Sequence, residues 1–323
     1  MEDAVKNISS RSILVSDDDF EKHITGFGHP EQPARNKAVL NALDHAGISD
    51  KFLKVAPRPC EDSDILRCHS GKYLNTVKAD FKTGETQLST GDTAICPLSL
   101  DIGRLAAGAP LAAVDEVLTG KGSNAFCVVR PPGHHATPDK GMGFCLFNNI
   151  AIAARYAQKK HGIGKILIVD WDVHHGNGTQ DIFYEDETVF FFSTHQSPWY
   201  PGTGEQEETG KGKGLGTTLN RPCPAGSGHD KIVENAFGHD LVTVMNKFRP
   251  ELIFISAGFD SRIGDPLGQF RLDDEDFSSL TEIILDLAKR YANGKVVSVL
   301  EGGYDLKGLG KASVSHAQKL LDF

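Results

Sequence analysis

Six short runs rich in Val, Ile, Leu and Phe constrain this chain more than any other feature. They lie at residues 12–15, 125–129, 166–169, 189–192, 252–256 and 296–300. Continuous apolar runs of this length suit strands buried on both faces, as in a parallel sheet covered by helices. Stretches with helical spacing fill most of the intervals, at residues 33–45, 98–119, 148–160, 231–247, 274–292 and 307–321. Asn148 is placed to cap its helix, and Asp274 precedes an acidic first turn. Strand–helix alternation predicts a three-layer α/β architecture. Residues 81–97 and 197–228 break the pattern, being rich in turn formers and polar groups, and are expected to be functional loops. With no repeat, low-complexity tract or linker, one domain over residues 1–323 is expected.

Composition narrows the function. The net charge of −9 disfavours the electrostatic grip on phosphates that nucleic-acid binders need. Cys60, Cys68, Cys96, Cys127, Cys145 and Cys223 form no C-x-x-C pair, and several sit in apolar stretches. Free thiols in a reducing compartment are expected. Met1 to Ser10 is polar, without an apolar signal core, and no apolar run approaches the roughly 20 residues of a membrane span. The expectation is a cytoplasmic protein, or a nuclear one if its source has a nucleus, with no membrane or direct nucleic-acid partner.

The ionisable residues that stand out follow the apolar runs. Arg130-Pro-Pro-Gly-His134-His135 follows the second run and Asp170-Trp-Asp172-Val-His174-His175-Gly-Asn177 the third. Ala257-Gly-Phe-Asp260 follows the fifth and Glu301-Gly-Gly-Tyr304 the sixth. Ligands of open parallel sheets bind outside the carboxyl ends of the strands, so four segments converge on one edge. Asp172 and His174, two apart, point to one side of an extended strand end and can share a cation with Asp260. Three protein ligands leave a position for water, as in a catalytic metal site. A lone Asp at such a place commonly just caps the next helix, but the Asp-x-Asp-x-His-His run with glycines behind it favours metal chemistry.

His134 and His135, on a path stiffened by Pro131 and Pro132, can supply a general base and acid. Asp170 and Asn177 can orient them, and a carboxylate raises imidazole basicity far more than an amide does. Tyr304, after Gly302-Gly303, can donate to an oxyanion.

The segments RPPGHHA, GMGFCLFNN, DWDVHHGNGTQ, PGTG, SAGFDSRIGDPLG and LEGGYD resemble those of zinc-dependent histone deacetylases. The likeness is greatest to the class II branch and its bacterial histone deacetylase-like amidohydrolases, and runs from about His29 to Tyr304. It implies the three-layer α/β/α arginase–deacetylase fold with a central eight-stranded parallel sheet. It implies zinc on Asp172, His174 and Asp260, a set of hard and borderline donors that suits ferrous iron as well. His134 and His135 become the tandem histidines, with His135 the general base and acid, partnered by Asp170 and Asn177. Asn at 177 matches class II, where class I carries Asp. Tyr304 matches the transition-state tyrosine, which vertebrate class IIa enzymes replace by His.

By the same resemblance, Phe144 and Tyr200 wall a narrow acyl-lysine tunnel beside Gly143 and Gly302. Asp92 corresponds to the rim aspartate that holds the substrate backbone. Leu267 stands where the polyamine-selective enzyme has an acidic gatekeeper, which weighs against acetylpolyamines. A structural potassium ion is implied near Asp170, Asp172, His174, Ser193 and Thr194, and Arg35 is placed on a channel through which acetate leaves.

The implied activity is hydrolysis of an N-ε-acyl-lysine amide in a protein or peptide. The alternatives are a small acetylated metabolite such as an acetylpolyamine, or a longer acyl chain. A two-manganese ureohydrolase needs more bridging carboxylates than this motif supplies. A binding module without activity predicts a broken ligand or tyrosine position. A homo-oligomer is compatible with the sequence, since the 197–228 loop can either shape the pocket mouth or pack on a partner.

Overall fold

Eight strands form one all-parallel sheet in the order β2-β1-β3-β8-β7-β4-β5-β6 in the computed structural model, which describes residues 11–323. The polar segment from Met1 to Ser10 lies outside the described residues. The strands are β1 Ser12–Val15, β2 Leu53–Val55, β3 Asn124–Cys127, β4 Ile166–Asp170, β5 Val189–Gln196, β6 Thr218–Cys223, β7 Leu252–Ala257 and β8 Val296–Leu300. All six apolar runs are strands. The two additional strands, β2 and β6, are the edges of the sheet. An edge strand has one neighbour and need not be apolar throughout, so β2 is only partly buried and β6 carries Arg221 and Pro222. The 197–228 stretch is therefore corrected: it is a loop that ends in a strand.

The helices are α1 Ala34–His45, α2 Asp62–Ile65, α3 Gly71–Thr83, α4 Ser99–Leu118, α5 Asn149–His161, α6 Asn177–Phe183, α7 Val242–Phe248, α8 Asp274–Tyr291 and α9 Leu306–Asp322. A π-helical segment, Asp230–Leu241, leads directly into α7. Helix α3 was not expected, and its last turn takes up the start of the 81–97 stretch. Asn148 caps α5 as anticipated, by accepting from the Ala151 N–H. For α8 the cap is Asp273 rather than Asp274, in a reciprocal capping box with Asp276.

Side chains alternate across the sheet and divide the interior in two. Ile13, Val15, Ile166, Ile168, Phe254 and Val297 face one core with α4 and α5. Leu14, Leu167, Val169, Ile253, Ile255 and Leu300 face another with α1, α8 and α9. The sheet is thus the middle of three layers, and each buried aliphatic side chain contributes about 1.5–3 kcal/mol. Among the described residues no helix is long and apolar enough to cross a membrane.

The strand order sets the site. β3, β8, β7 and β4 are the four central neighbours, in that sequence. Their carboxyl ends are the starting points of the segments bearing His134 and His135, Tyr304, Asp260, and Asp172 with His174. Residues from 130 to 304 meet there because β7 and β8 return to fill the gap between β3 and β4.

Candidate active site

Just beyond the end of β4 the backbone bends and brings Asp172 and His174 to one point, opposite Asp260 from the end of β7. Ligand atoms of the three buried residues all lie within 4.8 Å of one another. His174 Nδ1 is 3.0 Å from Asp172 Oδ1 and 3.2 Å from Asp260 Oδ2. Asp260 Oδ2 is buried and, despite His174 Nδ1 at 3.2 Å, receives no well-aligned hydrogen bond. Gly258 and Gly302 leave no room for a side chain beside these carboxylates, since a Cβ at either would fall on Asp172 or Asp260. A buried carboxylate oxygen without an aligned donor, inside a close set of two carboxylates and an imidazole, fits a cation. Although burial opposes the charge, the two carboxylates push the His174 imidazole up to about 10. Burial, with Asp172 alongside, pushes Asp260 up.

The tandem histidines lie against this group, their ring centroids 4.0 Å apart. His134 Nδ1 donates to Asp170 Oδ2 at 3.0 Å, and His135 Nδ1 donates to Asn177 Oδ1 at 2.8 Å. These acceptors fix the protons on Nδ1 and leave both Nε2 atoms for chemistry. Burial disfavours charge on both rings, but the outcomes differ. The carboxylates of Asp172 and Asp170 outweigh burial at His134 and raise it well above the usual imidazole range. At His135 burial prevails, reinforced by the charges of His134 and His174, and lowers it well below that range. A divalent cation on Asp172 would cancel that carboxylate's share at His134 and leave that of Asp170.

The loop carrying the pair is held from several sides. Glu301 Oε2, buried at the end of β8, accepts from the N–H groups of Gly133 and His134 at 2.6 and 3.1 Å. Asn149 Nδ2 donates to the Pro131 carbonyl and Asn148 Nδ2 to that of Ala136. Arg130, at the loop's start, makes a two-pronged bond to buried Glu31, at 2.6 and 2.7 Å. Arg35 shares that carboxylate at 3.0 Å. These guanidinium charges outweigh burial and hold Glu31 down to about 2.

Tyr304 closes the site from β8. Its backbone N–H donates to Asp265 Oδ2 at 2.6 Å, while Arg35 donates to the Gly303 and Glu301 carbonyls at 2.7 and 2.5 Å. The Arg35 guanidinium lies 4.9 Å from the Tyr304 ring centroid. Burial raises the phenol well above its ordinary value despite Arg35, so the hydroxyl stays a donor. Arg35, expected on an exit channel, is fully buried behind Tyr304 with its donors engaged by protein.

A cavity of about 250 Å³ opens above these groups, lined by Asp92, His135, Gly143, Phe144, His174, Trp199, Tyr200, Leu267 and Tyr304. Gly143 and Phe144 have φ of 57° and 67°, and the Cys145 N–H bonds the Met142 carbonyl at 2.9 Å. This is a type I′ turn. Left-handed backbone at a Phe costs about 1 kcal/mol, and here it sets the ring at the cavity wall. A side chain at Gly143 would run into the His135 ring. The 197–228 loop brings Trp199 and Tyr200 to the mouth.

Of the residues expected around potassium, Asp170 on β4 and Ser193 and Thr194 on β5 lie on adjacent strands, and Asp172 and His174 follow the end of β4. Asp170 and Ser193 are register partners, and the buried Thr194 hydroxyl has no hydrogen-bond partner. Sequence reasoning assigned no role to Glu31, Glu301, Asn149, Asp265 or Trp199. Glu301 and Asp265 lie within the motifs themselves, and that position was the available signal.

The histone deacetylase domain family matches residues 29–320. The chain belongs to that family. The histone deacetylase-like amidohydrolase of Pseudomonas aeruginosa is 41% identical over 279 residues, which are 86% of this chain and 73% of that protein. The human polyamine deacetylase HDAC10 is 41% identical over 302 residues, 90% of this chain but 44% of its own length. Among solved structures, the HDA15 HD domain superimposes with a TM-score of 0.90 at 36% identity, covering 97% of this chain and 88% of that one. The fold is the arginase–deacetylase fold of histone deacetylases, membership makes the chain a deacetylase-type amidohydrolase, and it implies a metal cofactor for which Asp172, His174 and Asp260 offer a site.

Proposed function

We propose that this chain is a zinc-dependent deacylase that hydrolyses N-ε-acyl-lysine amides in peptides or proteins, within a single catalytic domain. The observation that carries the reading is the pair of adjacent histidines with unlike partners beside a three-ligand group, with Tyr304 opposite, at the base of a narrow cavity. Zinc, or ferrous iron, held by Asp172, His174 and Asp260 supplies Lewis acidity toward the amide carbonyl and acidifies the attacking water.

The chain's own residues do the rest. His135, neutral and with Nε2 free, takes the proton of the attacking water. The Tyr304 hydroxyl donates to the oxyanion as the carbonyl carbon becomes tetrahedral. His135 then passes its proton to the leaving amine, while His134, oriented by Asp170, holds positive charge beside the reacting atoms. The walls formed by Phe144 and Tyr200 exclude water along the acyl-lysine stem, and Asp92 at the rim accepts from the substrate backbone. A potassium ion near Asp170, Asp172, His174, Ser193 and Thr194 would damp the negative charge behind the metal ligands.

Leu267 supports lysine over polyamine substrates, because an acetylpolyamine brings an extra ammonium that an apolar side chain cannot compensate. The similarity to a polyamine deacetylase keeps acetylpolyamines as the second reading. A reducing compartment such as the cytoplasm suits six cysteines that are all free.

A panel of acetyl-, trifluoroacetyl- and longer acyl-lysine fluorogenic peptides, run beside acetylspermidine, tests the assignment. Turnover of the acetyl-lysine peptides is expected to exceed that of acetylspermidine. Preference for acetylspermidine would select the second reading, and no turnover of any would overturn both.

A further inference from the structure

A cavity wall needs only the ring of Tyr200. That ring stands edge-on to His135 and His174, at centroid distances of 5.1 and 6.1 Å, and phenylalanine would serve there equally. The hydroxyl does something else: it donates to Asp92 Oδ2 at 3.2 Å. The other carboxylate oxygen, Oδ1, accepts the Gly143 N–H at 2.6 Å. Gly143 carries Phe144, the opposite wall, so Asp92 is a strut between the two walls at the mouth. On the far side Trp199 Nε1 donates to the Leu267 carbonyl at 2.8 Å, which ties the Tyr200 loop to the rim.

From this geometry we propose that the Tyr200 hydroxyl is a specificity determinant acting through Asp92, suiting the mouth to neutral N–H donors of a peptide rather than to a substrate ammonium; the inference rests on the amide hydrolysis proposed above. A carboxylate offers about four acceptor sites. The strut occupies one on each oxygen and leaves one on each for substrate. Held in a fixed plane, the carboxylate becomes a directional acceptor for N–H groups. Because the phenol also draws on its charge, it is a poorer counter-ion for a mobile ammonium. Asp92 and Tyr200 are both exposed, so water weakens their bond in the free enzyme. A substrate lying across the mouth removes that water and strengthens it. The effect therefore falls on substrate binding, since the reacting atoms lie deeper, at His135 and Tyr304. Tyr200 acts here as a positioning residue.

The test is a double-mutant cycle on the metal-loaded protein with Tyr200→Phe, Asp92→Ala and both together. It reads kcat and KM for an acetyl-lysine peptide and for acetylspermidine, and the Kd of a fluorescently labelled acetyl-lysine peptide by anisotropy. Tyr200→Phe is expected to raise peptide KM roughly fivefold with kcat within about twofold, as loss of one ordinary hydrogen bond open to solvent would do. KM for acetylspermidine should stay level or fall. On the Asp92→Ala background the same change should have little effect, because the strut is already broken. Equal shifts for both substrates, or an undiminished effect beside Asp92→Ala, would overturn the inference. If the wild type hydrolyses neither substrate, the function proposed above fails, and the peptide Kd values decide the strut alone. Coupled losses of peptide binding would uphold it, whereas independent losses, or no binding, would overturn it.

Discussion

At the floor of the cavity Asp170, Asp172, Asp260 and Glu301 are completely buried, whereas at the mouth Asp92, Trp199 and Tyr200 stand exposed. Each floor carboxylate accepts a backbone N–H from a segment that carries the chemistry. Asp170 takes that of Asp172, and Asp172 those of His174 and Gly302. Asp260 takes that of Val173, and Glu301 those of Gly133 and His134. At the mouth Asp92 takes one backbone N–H, that of Gly143, and the remaining ties, Tyr200 to Asp92 and Trp199 to Leu267, are open to solvent. Charges so locked cost little reorganisation when a reaction develops charge, which suits catalysis. A looser mouth can change its selectivity without disturbing that machinery.

If the comparison holds, damage to the floor should be severe and damage to the mouth mild. Asp260→Ala should abolish metal retention and reduce kcat/KM by more than about 1,000-fold, read by metal analysis and turnover together. Full metal content with normal turnover would remove Asp260 from the ligand set.

Glu31→Gln leaves Arg130 and Arg35 buried with one neutral partner. Denaturant unfolding should show a loss of about 3–5 kcal/mol. Glu31 is held down to about 2 from an ordinary 4.5, so its share of stability is full above pH 4.5 and is lost as pH falls toward 2. The variant should lack that acid-sensitive part.

Asn177→Asp places a carboxylate on His135 and should raise its pKa. Because the base must be neutral, the acidic limb of kcat/KM should move up by about one pH unit, with activity recovering at higher pH. An unmoved limb would mean that His135 is not the titrating base. At the mouth, Leu267→Glu should improve kcat/KM for acetylspermidine only about fivefold and leave kcat on acetyl-lysine peptides within about twofold.

Much of this division was legible in the sequence. The interior strands announce themselves because both faces are buried and most of their residues are apolar. The edges β2 and β6 have no such requirement, and Pro222 even argues against a strand in isolation. The polar clusters after β3, β4, β7 and β8 could be read as one site, since parallel strands share a carboxyl edge. That these four strands are neighbours depends on a return of the chain that no local pattern encodes. The supporting groups were least visible. Glu31 reaches Arg130 across 99 residues of sequence, and such a pair leaves no periodic trace. Asp92 was readable as a rim carboxylate, but its bonds to Gly143 and Tyr200 exist only in three dimensions. The π-helical winding of Asp230–Leu241 was equally hidden, because its apolar spacing reads as an ordinary helix.

The most direct test of the central claim is the kcat of Tyr304→Phe on an acetyl-lysine peptide, measured with the metal content of the same sample. The substitution removes one hydroxyl from the floor and touches none of the three metal ligands. The account predicts a fall in kcat of roughly 100- to 1,000-fold with metal content unchanged. Undiminished turnover at full metal content would contradict it.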